Sequence, residues 1–96
     1  MTKATHSFPA ALKAVRKARG LSQEAFSDVS SRTYMSSLER GLKSPTLNKV
    51  NELCEVMGVH PLTLLALAYG ADAKGADKLF TRVQRELADI EALRNE

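Results

Sequence analysis

Glycine divides this chain into short pieces. Gly20, Gly41, Gly58 and Gly70 each close a run whose apolar residues recur at helical spacing. Ser22, Ser44-Pro45-Thr46 and His60-Pro61 then restart the chain with residues that favour helix N-termini. No sustained period-2 alternation and no Asn-Gly or Asp-Gly turn supplies a strand or hairpin signal. Such a chain must fold as a set of short helices packed on one another.

The helices can be placed from their apolar positions. The first has Pro9 in its first turn, runs to about Arg19 and turns Phe8, Ala11, Leu12, Val15 and Ala18 inward. Ser22 is the expected N-cap of a short second helix, Gln23 to Asp28, with Ala25, Phe26 and Val29 as its apolar contacts. Ser30 and Ser31 can cap a third helix, from about Arg32 to Arg40, that buries Met35 and Leu38. Thr46 caps a fourth, Leu47 to Met57, burying Leu47, Val50, Leu53, Cys54 and Met57. His60 caps a fifth that carries Leu62, Leu64, Leu65, Leu67 and Ala68. Residues 71–75 read as a linker. The segment from Ala76 to about Arg94 forms a last, longer helix with Phe80, Val83, Leu87 and Ile90 on one stripe.

Charge divides the chain as well. The net charge is +3 over 96 residues, and it is concentrated in the N-terminal half, where a polyanion is the expected partner. The C-terminal half is net acidic. One cysteine and two histidines exclude a disulfide framework and leave too few ligands for a zinc cluster. No metal or cofactor is expected. No paired His/Cys constellation, Gly-rich phosphate loop or nucleophile elbow points to an enzyme. The longest nearly apolar run, Leu62 to Tyr69, is far short of the ~20 residues that span a bilayer. With no signal-peptide layout at the N-terminus, a cytoplasmic protein without membrane contact is expected.

Four separated motifs then make a resemblance specific: 16–24, RKARGLSQE; 38–41, LERG; 44–47, SPTL; and 57–59, MGV. Together, and in this order, they resemble the phage-repressor and Cro type of helix-turn-helix, the XRE family, over roughly Phe8 to Tyr69. The resemblance implies an all-α fold: a five-helix repressor-like domain over 8–70, after a flexible tail at 1–7 that holds His6. Residues 71–96 follow as linker and C-terminal helix. One departure stands out. The family usually has about two more residues between the second and third helices, where Asp28-Val29-Ser30-Ser31 must make the connection here.

The resemblance also implies roles. The third helix lies in the major groove of double-stranded DNA and reads bases with its first exposed positions, here Arg32, Thr33, Ser36 and Ser37. Arg32 can donate two bonds to a guanine, and Thr33 can touch a thymine methyl. For Ser36 and Ser37, base contact and simple surface exposure stand level. Ser22, Gln23, Arg40, Lys43 and Arg19 are the expected phosphate contacts, placing the domain without reading sequence. Tyr34 either bonds a phosphate or packs on the neighbouring helix. Arg16 and Glu39 match positions that form an ion pair between the first and third helices.

Proteins of this type usually bind pseudo-palindromes as homodimers, and the stripe Phe80, Val83, Leu87, Ile90 is the candidate dimerisation element. The expected function is a prokaryotic or phage transcription regulator, a repressor, without an appended ligand-sensing domain. The alternative is an antitoxin-like module whose C-terminal helix binds a separate protein. His60 is read as a cap and Cys54 as a small core residue.

Overall fold

The computed structural model describes residues 7–94. It contains α1 (Phe8–Ala18), a 3-10 turn (Gln23–Phe26), α2 (Arg32–Glu39), α3 (Leu47–Met57), α4 (Pro61–Ala68) and α5 (Ala76–Arg94). No strand occurs among the described residues. The all-α fold with a C-terminal helix is the one read from the sequence. His6 and most of the expected 1–7 tail lie outside the described residues. Ser7, the last residue of that span, caps α1: its hydroxyl accepts the Ala10 N–H at 3.3 Å.

The glycine closures share one geometry. The amides of Leu21, Leu42, Val59 and Ala71 donate to the carbonyls of Arg16, Ser37, Cys54 and Ala66, each five residues back. This is the Schellman closure, and it requires a left-handed residue between. Gly41 shows why that residue is glycine. Its φ is +75°, and a Cβ there would meet Pro9 Cγ at 3.4 Å. The helix starts are equally local: Ser31 accepts from Tyr34, Thr46 from Lys49, and His60 Nδ1 from the Leu62 amide.

The core comes from every element except α5. Leu12, Phe26, Met35, Leu38, Leu53 and Leu64 are fully buried, and Ala11, Val50, Cys54 and Met57 close around them. Each fully buried large side chain contributes about 1.5–3 kcal/mol relative to exposure. Burial pushes the Cys54 thiol above its ordinary value, in keeping with a packing role.

Five local expectations are corrected. The second helix is only a 3-10 turn of four residues, in which Ala25 N–H donates to Ser22 O. That short ladder uses the backbone carbonyl, and the Ser22 hydroxyl makes no capping bond. Phe26 is the buried residue of the turn, Val29 packs partly against the core, and Ala25 is exposed. Leu47, the first residue of α3, is 76% exposed, because it projects from the helix end past the core. Ala18 is also exposed, two residues beyond Arg16, the last buried residue of α1.

Candidate nucleic-acid interface

The position of α2 is set by a charged network underneath it. Arg16 Nε donates to Glu39 Oε2 at 2.6 Å, and its terminal nitrogen to Oε1 at 2.9 Å. The other terminal nitrogen donates to Leu21 O at 2.8 Å. Gln23 Nε2 donates to Glu39 Oε1 at 3.1 Å. One carboxylate therefore ties α1, the 3-10 turn and the C-terminal end of α2 together. The Arg16 and Glu39 side chains are 10% and 4% exposed. Burial would push the Glu39 carboxyl up. The bonds from Arg16 and Gln23 and the charges of Arg16 and Lys13 outweigh it, so the group sits below its ordinary value. The bond to Glu39 holds the Arg16 guanidinium above its own.

A second clamp comes from α3. Lys49 Nζ donates to the Val29 carbonyl in the connection between the 3-10 turn and α2, and it pairs with Glu52 Oε1 at 2.9 Å. It also lies 5.8 Å from the Tyr34 ring centroid, with Lys43 Nζ at 5.9 Å from the same ring. Tyr34 is half-buried and packs against the core. Sequence reasoning missed Lys49. Its partner lies 20 positions back in the chain, beyond the reach of helical spacing.

Above this frame, α2 presents Arg32 and Thr33 exposed and Ser36 half-buried, and its C-cap Arg40 is exposed. The loop that follows carries exposed Lys43. Arg32 pairs with Glu24 across the turn at 2.9 Å, with side chains 74% and 58% exposed. Ser37 is corrected: it is 7% exposed, on the inward side of α2, and cannot reach a base edge. The anion site expected at Ser22 and Gln23 changes too, because a four-residue 3-10 turn lacks the dipole of a full helix. Arg19 is engaged elsewhere, donating to Gly58 O at the C-terminal end of α3 at 3.4 Å.

A helix-turn-helix family model of the XRE type matches residues 12–64, more than half of the chain. The chain belongs to this helix-turn-helix family. The family is one of DNA-binding regulators. The matched span begins in α1 and ends in α4, so it contains the Arg16–Glu39 network and all of α2, and leaves α5 outside. No curated protein matches the chain. Among the described residues no helix is long and apolar enough to cross a membrane. No cluster of three His, Cys, Asp or Glu able to hold a metal occurs among them.

Proposed function

We propose that this helix-turn-helix chain is a homodimeric, sequence-specific repressor that reads a pseudo-palindromic operator through α2. The observation that carries the reading is the solvent-facing surface of α2, Arg32, Thr33, Ser36 and Arg40, on a helix locked from below by Glu39. Arg32 donates to a guanine edge, and Thr33 and Ser36 contact neighbouring bases. Arg40, Lys43 and Ser22 hold phosphates. Gln23 joins them: its amide nitrogen carries two N–H groups, one bound to Glu39 and the other available to a phosphate oxygen. Occupying an operator that overlaps a promoter suffices for repression and needs no further surface.

The second reading, a module whose α5 binds a separate protein, draws on the exposed apolar stripe of that helix. The continuous helix from Ala76 to Arg94 favours the plain regulator, since a partner-binding tail typically orders only on binding.

The test is affinity capture of fragmented genomic DNA from the source organism, at low and raised salt, followed by sequencing. Phosphate-only binding fades steeply with salt. An enriched inverted repeat that survives raised salt is the expected result. Failure to enrich any sequence overturns the reading.

A further inference from the structure

Among the described residues, eight of the ten exposed large apolar side chains belong to α4, its C-cap and α5. Only Leu42 and Leu47 lie elsewhere. At the start of α5 this surface forms a groove of about 250 Å³ against α4, lined by Leu62, Leu65, Ala66, Tyr69, Phe80 and Val83. Farther along, Leu87, Ile90 and Leu93 are 53%, 52% and 72% exposed, and α5 has no buried residue among those described. An apolar stripe this long on a free helix calls for a cover.

The charges on α5 indicate what covers it. Its first half carries Asp77, Lys78, Arg82 and Arg85, net +2, and its second half Glu86, Asp89, Glu91 and Arg94, net −2. Two parallel copies would set like halves side by side. Two antiparallel copies set each basic half along an acidic one. The apolar stripe has the matching symmetry. Phe80, Val83, Leu87 and Ile90 are spaced evenly about their midpoint, so reversal lays Phe80 on Ile90 and Val83 on Leu87.

We propose that a second copy of this chain docks antiparallel on this face, with Leu87, Ile90 and Leu93 of one α5 entering the groove between α4 and α5 of the other. The proposal rests on the homodimer reading and adds its geometry. The contact is isologous, each copy giving one overhang and one groove.

Sedimentation velocity of the full chain tests it without DNA. The dimer should weaken between about 0.05 and 0.5 M NaCl, because screening removes the attraction between opposite halves. A parallel pair would strengthen instead. Lys78→Glu, Arg82→Glu and Arg85→Glu together should weaken the dimer about tenfold or more. Adding Glu86→Lys, Asp89→Lys and Glu91→Lys should restore it, whereas the same full exchange would weaken a parallel pair further. All six positions are exposed, so the variants keep the core. Leu62→Gln in α4 should also weaken the dimer. A dimer that strengthens with salt, that the full exchange fails to restore, or that Leu62→Gln leaves unchanged overturns this docking and leaves the homodimer reading standing. A chain that stays monomeric overturns both.

Discussion

Glu39 in α2 holds the Arg16 guanidinium of α1 through two parallel bonds, and the same carboxylate accepts from Gln23 in the 3-10 turn. The tilt of the proposed reading helix thus depends on one carboxylate that is 4% exposed. Buried charge of this kind is stabilising only while every partner is present. Arg16→Ala should cost about 3–5 kcal/mol, because it strands a buried carboxylate. Arg16→Met combined with Glu39→Leu should cost clearly less than the sum of the single changes. Urea unfolding of the three variants measures this, and additive costs would mean that the two groups act independently.

The same carboxylate sets an acid limit. The folded-state pKa of Glu39 is lowered, so its contribution is present above the ordinary glutamate value of about 4.3 and is lost as pH falls through the lower folded-state value. The stability difference between the wild type and Glu39→Gln should be constant at neutral pH and shrink only below that ordinary value. Thermal melts from neutral to strongly acidic buffer would show it. A difference that shrinks already near neutral pH would contradict the lowered value.

Lys49 is expected to hold the shortened connection ahead of α2. Lys49→Met removes a charged donor from the Val29 carbonyl and should cost about 1–2 kcal/mol, with Lys49→Arg recovering part of it. Hydrogen exchange should accelerate at residues 29–32 before it does so in α1. Unchanged exchange there would show that the connection is held by Phe26 packing alone.

These sites differ in how far the sequence revealed them. The glycine closures and the Thr46 and His60 caps were legible because each is settled within six residues. The Arg16–Glu39 pair spans 23 positions and entered only through the family resemblance. Lys49 reaches back 20 positions to Val29, and neither periodicity nor motif encodes that reach. Ser37 and Leu47 failed for a related reason. Helical spacing gives a face, but neighbouring elements decide where that face ends, and they cover Ser37 and leave Leu47 open.

Base reading can be separated from phosphate contact at Arg32. Arg32→Ala should cost ~1–3 kcal/mol at one operator position and relax specificity there. Its pair with Glu24 is exposed on both sides, worth at most about 1 kcal/mol, and is easily exchanged for a base edge. Glu24→Gln should therefore tighten binding to all sequences alike by removing a negative charge from the DNA side. Competition binding with single-position operator variants distinguishes the two. Uniform weakening by Arg32→Ala would reduce it to a phosphate contact.

Ending the chain after Gly70 should leave a folded domain that no longer dimerises. Among the described residues the buried apolar ones all lie between Ala11 and Ala68, and α5 contributes none, so the core survives its removal. The Ala71 amide that donates to Ala66 is lost with it, and the last turn of α4 should fray. The melting temperature should drop by only a few degrees, about what 1 kcal/mol produces in a domain of this size. Affinity for a single half-site should be retained. Affinity for the full inverted repeat should fall sharply, because two linked half-sites bind with high effective concentration and two separate ones do not. A shortened chain that still sediments as a dimer would move the interface off α5. One that unfolds would show that α5 contributes to the core.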